Sequence, residues 1–525
     1  MCREVLTALA AVSCRLSLTK RTRRRTPKDA PRENSVLSDQ TIVLIAVGFY
    51  LILMIALGFY AARKATNSTE FMIAGRNLGL PIASATLFAT WFGAGTIMGA
   101  AGAAYGGGFL AVIADPFGAV LCLFLIGFIL ARMVRRLKLV TITEFLEQKY
   151  DRTAGMLAAI GLVLAYVGWT AAQFVAFGFI LNTFTGVDIE TGIYVGAAIV
   201  LIYTTSGGMW AVALTDFVQM IIIIAGLAVL YPLALADIGG WDAFTAALPE
   251  HSFRMIPLET TVESWIPYVR DWLVIGVGSL AAQDTLQRSF ASKNENVAQN
   301  SAYIASFGYL TIGMIPVLLG MIGYVSMPGL EDPESVIPRL AIEHLPPVLM
   351  AIFIAALLAA IMSSSDSALL ATSSIVTGSI VPAILPSYSE KQRLKVARWS
   401  IPITGALALA VGLELQVVYE LVLNALGVIL AVIVVPTILA IWWPRANRAG
   451  ALAAMITGYV VWIGLPFLVE DSSSDFIAFV AGLVVMLVVT PLTQKIDPPK
   501  PVRNVDGEIE PLTNRLGILG FGKNK

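Results

Sequence analysis

Hydrophobic residues in this chain come in long, nearly unbroken runs separated by short polar stretches. Thirteen runs are long enough to span a hydrocarbon core of about 30 Å. They lie near residues 40–61, 82–104, 109–132, 154–182, 190–206, 212–236, 271–290, 300–326, 346–382, 398–412, 415–443, 449–469 and 475–493. Each is expected to be a helix, the ninth with an amphipathic extension. A membrane β-barrel would instead show alternating segments of about ten residues. The pattern predicts an all-α polytopic membrane protein with about 13 transmembrane helices. Its parts are a basic N-terminal segment (1–38), a membrane domain (39–493) and a polar tail (494–525), the last expected to be flexible.

The polar stretches sort by charge. One set carries Arg63, Lys64 and Arg76, then Arg132, Arg135, Arg136 and Lys138, then Arg288 and Lys293. It goes on with Lys391, Arg393, Lys395 and Arg398, with Arg445 and Arg448, and with Lys495, Lys500 and Arg503. The other set carries Asp237, Asp242, Glu250, Glu259 and Glu263, then Glu331, Asp332 and Glu334, then Glu470, Asp471 and Asp475. The two alternate along the thirteen spans, so the positive-inside rule places the C-terminus in the cytoplasm and the start of the first run outside. The expected location is the cell (inner or plasma) membrane. The first 35 residues break the pattern, with nine Lys/Arg against three acids. Three readings compete: a start really near Val36 or Leu37, a targeting peptide, or a genuine arm.

Composition agrees with the runs. The 525 residues are 57% hydrophobic and 13% charged, with a mean hydropathy of +0.79, whereas soluble domains are roughly 25% charged. Zero net charge gives no general attraction to nucleic acid. Cys2, Cys14 and Cys122 are too few for a disulfide frame or a metal site. His251 and His344 both read as solvated loop residues. No HExxH, P-loop or GxSxG motif is present, and no cofactor is expected. An embedded enzyme would have to use acids such as Asp115 and Asp366, without a recognisable nucleophile–base pair, so the chain does not read as an enzyme.

Chemistry enters at residues 359–367, Ala-Ala-Ile-Met-Ser-Ser-Ser-Asp-Ser, where four hydroxyls and a carboxylate interrupt the ninth run. Such groups cost free energy in a bilayer and normally face a cavity, an ion or a partner. Ser363 and Ser367 share one helical face. Hydroxyl and carbonyl oxygens suit a small hard cation. Small residues that let two helices approach closely fit the same pattern.

The second run contains Thr90-Trp91-Phe92-Gly93-Ala94-Gly95-Thr96, and the seventh contains Gly276-Val277-Gly278-Ser279 followed by Gln283, Asp284 and Gln287. Each glycine weakens a helix by about 1 kcal/mol relative to alanine. The two runs are five spans apart and therefore antiparallel. Matched interruptions of this kind mark a five-plus-five inverted repeat whose unwound backbone can bind ions. Gly95-x-x-x-Gly99 packing is the alternative for the second run alone.

Several strings together resemble the sodium:solute symporter family over roughly residues 40–490. They are Phe88-Ala89-Thr90-Trp91-Phe92-Gly93, Gly207-Gly208-Met209, Leu214-Thr215-Asp216-Phe217-Val218-Gln219, Gln283 to Arg288, and Met362 to Ser367. The resemblance implies a leucine-transporter-type fold and solute uptake coupled to sodium. It implies sodium ligands at the carbonyls of Ala89, Phe92 and Ala360 and the hydroxyls of Ser363 and Ser364. A second cation or coupling site would fall on Asp216, with Thr215 and Gln219 beside it. A solvated interfacial acid is the other reading of Asp216. Asp366 can orient its helix, touch a cation or cap a contact between helices. Asp115 and Asp284 are further intramembrane acids, and Asp284 can pair with Arg288 one turn on.

The same strings are most similar to the family's choline branch, in which aromatic rings cage a quaternary ammonium. Trp91 matches one cage position and Trp169 falls where another ring is expected. Ala282 stands where a third would be, and losing one face of a cage removes about 1–2 kcal/mol. The resemblance therefore implies a site of Trp91, Thr96, Trp169, Gln173 and Gln283 around a small polar solute: an amino acid, a betaine or choline-like molecule, or a carboxylate. A core or interfacial aromatic is the alternative for each tryptophan. Trp210, Trp265, Trp442 and Trp443 read as interface anchors. The expected partners are the solute, sodium as coupling ion and the lipid bilayer, with the chain a monomer or weak oligomer. A proton-coupled symporter and a solute sensor or channel-like protein are the competing functions.

Overall fold

The protein, here a computed structural model, is described over residues 33–385, 387, 389–469, 473–510 and 516–517. Residues 1–32, which carry most of the basic segment, lie outside the described residues, as do the loop acids Glu470 and Asp471. Residues 33–38, assigned from sequence to that segment, are instead the first turns of a helix.

The principal helices are α1 (Glu33–Ala62), α2 (Leu80–Trp91), α3 (Ile142–Lys149), α4 (Arg152–Thr185), α5 (Ile189–Asp237), α6 (Val262–Gly276), α7 (Gln283–Ala291), α8 (Glu295–Ile312), α9 (Pro347–Ile375), α10 (Glu390–Leu415), α11 (Tyr419–Val428), α12 (Arg448–Gly464) and α13 (Ser474–Thr493). No strand forms among the described residues. Among the described residues, ten helical stretches are long and apolar enough to cross a membrane, with Leu80–Trp91 as a shorter apolar helix.

Two stretches are too long for one crossing. Gly95–Leu137 and Ile189–Asp237 hold 43 and 49 residues, about 65 and 73 Å if straight. Both turn at a glycine, Gly108 and Gly208, each with φ near +59°. At Gly208 a side chain is excluded twice over: the backbone is left-handed, and a Cβ would lie 2.4 Å from the Phe71 carbonyl. The pattern of separate runs at 190–206 and 212–236 is thus realised as one helix with a bend.

α9 is the axis of the molecule. It packs on α1, α4, α5 and α10, and residues 356–375 are buried without exception. This is why its sequence shows no polar stripe: a helix enclosed all round is apolar all round, and its hydroxyls must bond within the protein. At the periphery, α12 and α13 pair with each other and expose Ile456, Val460, Val484, Leu487 and Val488. That apolar outer surface suits lipid.

Two expectations need correction. The described part of the tail is anchored: Val505 N donates to the Leu137 carbonyl (2.9 Å), Lys149 Nζ to that of Lys500 (2.6 Å), and Lys500 Nζ to that of Tyr150 (2.6 Å). Hydrogen bonds to α3 and its neighbour hold the segment in place while most of its side chains stay exposed. His344 ends the helix Val336–His344 with its side chain 7% exposed, and its Nδ1 lies 2.9 Å from the Leu340 carbonyl. Only His251, in an exposed turn, is solvated.

Candidate functional site

Two helices are interrupted in mid-span. α2 stops at Trp91, Phe92 takes a non-helical ψ of 76°, and a π-helical turn, Gly95–Ala100, follows. α6 stops at Gly276, a 3-10 turn spans Gly278–Ala281, Ala282 is extended, and α7 begins at Gln283.

Where α2 breaks, carbonyls lose their helical donors. Gly93 N turns to the Trp91 carbonyl (2.9 Å), so the Ala89 carbonyl has no helical partner. Ala94 N donates to Gln173 Oε1 on α4 (2.9 Å), which frees the Thr90 carbonyl. The serines of α9 supply the missing donors. Ser363 Oγ donates to the Ala89 carbonyl (3.0 Å) and lies 2.9 Å from that of Ala360, while Ser364 Oγ donates to the Thr90 carbonyl (2.9 Å). Gly93 admits this approach, because a Cβ there would sit 2.3 Å from Ser364 Oγ. Ala89, Ala360, Ser363 and Ser364 are therefore brought together, and Phe92 stands at the break beside them, stacked on Phe88. Their oxygens form a dry cluster of the hard type that an alkali cation takes, with hydroxyl protons free to rotate outwards.

Asp216, on α5, lies on the other flank of α2. Its Oδ2 accepts from Thr86 Oγ1 and lies 3.8 Å from Arg288 Nη2; its Oδ1 is buried without a partner. The Thr215 hydroxyl turns back onto its own helix, to the Ala211 and Val212 carbonyls, and Gln219 bonds Tyr50 on α1 (3.2 Å). Thr86 and Arg288 are thus the groups that approach the Asp216 carboxylate, while Thr215 and Gln219 bond elsewhere. Arg288 does not pair with the Asp284 carboxylate. Its Nη1 donates to the Asp284 carbonyl (2.9 Å) and its Nη2 to Ser367 Oγ. Asp366 accepts from Tyr203 Oη (2.8 Å), tying α9 to α5.

Of the residues expected around a solute, Trp91 and Trp169 line one narrow cleft with Tyr166, Ala282, Asp284 and Thr285. The cleft is almost closed, holding about 10 Å³, the room of a single water centre. Trp91 Nε1 donates to Thr285 Oγ1 (2.8 Å), whereas Trp169 Nε1 is buried without a partner. The others stand apart. Thr96 donates to Asp115 Oδ2 (2.7 Å) and meets the Tyr309 hydroxyl. Gln173 holds the α2 break. Gln283 bonds the Val140 carbonyl (3.0 Å) and accepts from Ile142 N (2.9 Å), fixing the start of α3. Sequence reasoning missed Thr90, Tyr166 and Thr285. Tyr166 was recoverable: Tyr166, Trp169 and Gln173 fall at i, i+3 and i+7 on one face of α4.

Comparison with known proteins places these features in context. The sequence model of the sodium:solute symporter family matches residues 71–458. The high affinity choline transporter 1 of Homo sapiens is 31% identical over 454 residues, covering 81% of this chain and 77% of its own. The sodium/pantothenate symporter of Escherichia coli (strain K12) is 31% identical over 440 residues, covering 81% and 90%. Among solved structures, a Na+-coupled sialic acid symporter superposes with a TM-score of 0.75 at 21% identity, covering 88% of this chain and 99% of that one. The architecture is the leucine-transporter-type fold that the resemblance implied, with the five-plus-five repeat expected from the matched interruptions.

Proposed function

Because the chain belongs to the sodium:solute symporter family, we propose that it binds its coupling ion between the α2 break and α9 and its solute in the cleft at the head of α7. The protein is a multi-pass membrane transporter that couples sodium to a small solute. The observation that carries the site reading is the rerouted hydrogen bonding: Ser363 and Ser364 cover the two carbonyls that the α2 break sets free.

Sodium at Ala89, Phe92, Ala360, Ser363 and Ser364 would replace those hydrogen bonds and tie α2 to α9. An ion that binds one arrangement of the two helices better than another biases the transporter towards that arrangement. A tenfold sodium gradient supplies about 1.4 kcal/mol and a potential of ~100 mV about 2.3 kcal/mol per charge. Together these support accumulation of a neutral solute by roughly 500-fold per sodium. At the second position, the Arg288 guanidinium near Asp216 already supplies a fixed cation, which favours one sodium per cycle. The basic loops between spans favour thirteen crossings with the C-terminus in the cytoplasm.

The test is uptake into proteoliposomes under an imposed sodium gradient. Accumulation above equilibrium that collapses with a sodium ionophore supports the proposal. Equilibration without accumulation supports the channel-like alternative, and accumulation that follows a proton gradient in sodium-free buffer supports proton coupling.

A further inference from the structure

We infer that the solute is a cationic amine bearing at least one N–H, and that Asp284 is the residue that binds its charge; this rests on the cleft at the head of α7 being the solute site. Asp284 is 8% exposed and opens onto the cleft between Trp91, Tyr166 and Trp169. Its Oδ1 is fully engaged, accepting from Tyr166 Oη (2.9 Å), Thr285 N (2.8 Å) and Thr285 Oγ1 (3.3 Å). Its Oδ2 has no hydrogen-bond partner among the described residues. One oxygen thus holds the carboxylate still and the other is left for a ligand.

Nothing nearby neutralises it by direct contact. Arg288, one turn on, bonds the Asp284 backbone carbonyl and points its other nitrogen at Ser367 and Asp216. Four aspartates, Asp115, Asp216, Asp284 and Asp366, are buried near the two interruptions, with Arg288 as the one buried base among them. A carboxylate kept ionised in such a setting requires a compensating charge. A solute carboxylate in this dry cleft would set two like charges side by side.

The rings and the carboxylate divide the work. The faces of Trp91, Trp169 and Tyr166 attract any organic cation. Ala282, on the cleft wall with Asp284, adds no ring. A quaternary ammonium cannot donate to Asp284 Oδ2, whereas a tertiary or primary ammonium can, and hydrogen bonds between charged groups are the strong ones.

The experiment is thermal stabilisation of the purified full-length protein in sodium buffer by a matched series: 2-dimethylaminoethanol, ethanolamine, choline, glycine betaine and neutral 3,3-dimethylbutan-1-ol. Expected is stabilisation by the two N–H amines at concentrations at least tenfold below those for choline, with none from betaine or the neutral alcohol. In Asp284→Asn that preference disappears while the sodium-induced shift persists. Choline equal to or better than 2-dimethylaminoethanol, betaine or the alcohol binding as well as the amines, or no stabilisation by either amine overturns the proposal. If Asp284→Asn fails to fold, the rank order on the unsubstituted protein decides. Amine binding without sodium-driven accumulation would sink the symport reading and leave the role of Asp284 standing. Sodium-driven uptake of a neutral or acidic solute, indifferent to Asp284→Asn, would do the reverse.

Discussion

Ser364 Oγ donates to the Thr90 carbonyl across 2.9 Å, at the point where α2 ceases to be a helix. Ser363 does the same for Ala89 one residue earlier. The pair closes the gap in the α2 ladder from a neighbouring helix, so the break is stabilised by the same oxygens that an ion would use.

Replacing both serines, Ser363→Ala with Ser364→Ala, strips donors from two buried carbonyls. Each orphaned group costs about 1–3 kcal/mol, so a lower melting temperature is expected, with the protein still folded in the membrane. Sodium should no longer raise the melting temperature or activate uptake. Unchanged half-saturation by sodium in the double variant would reject the ion site.

Gly93→Ala attacks the same place sterically. The new methyl would meet Ser364 Oγ at 2.3 Å and Gln173 Oε1 at 2.9 Å. Overpacking of this size costs about 1–3 kcal/mol, taken up by pushing α2 away from α9. Sodium affinity is expected to fall by roughly tenfold or more, the equivalent of about 1.4 kcal/mol, read as the sodium dependence of uptake. A variant with normal sodium activation would show that close contact there is not required.

Arg288 joins three helices: it donates to Ser367 on α9, to its own Asp284 carbonyl on α7, and lies 3.8 Å from Asp216 on α5. Arg288→Ala leaves a buried aspartate uncompensated, a loss of about 3–5 kcal/mol. Adding Asp216→Asn should restore part of it, because the two positions share one interaction. Melting temperatures of the two singles and the double measure the coupling; additive effects would mean that the pair does not interact.

Tyr166→Phe removes one hydroxyl that donates to Asp284 Oδ1 (2.9 Å) and accepts from Asp284 N (2.8 Å). Two hydrogen bonds of about 1 kcal/mol each are lost, and the carboxylate is freed to turn. Half-saturation for solute should rise by roughly tenfold with sodium activation intact. An effect on sodium instead of solute would place Tyr166 with the ion.

Local composition was enough to announce much of this protein. Long apolar runs dictate spanning helices, because backbone in lipid must bond to itself. Glycines in the second and seventh runs mark helices that stop at Trp91 and Gly276, and hydroxyls at 363 and 364 mark the helix that answers the first of them. These features follow from the chain alone because they concern each segment's own energetics in a membrane. Partnership did not follow. Thr215 and Gln219 sit beside Asp216 in sequence yet bond elsewhere, while Thr86 and Arg288, 130 residues before and 72 after, approach its carboxylate. Gln283 reads like a ligand and instead fixes the start of α3. Asp284 next to it could have met Arg288; packing gave one of its oxygens to Tyr166 and turned the residue towards the cleft. A helix tells which residues share a face, but which face meets which neighbour is settled only when all the helices compete for the same interior.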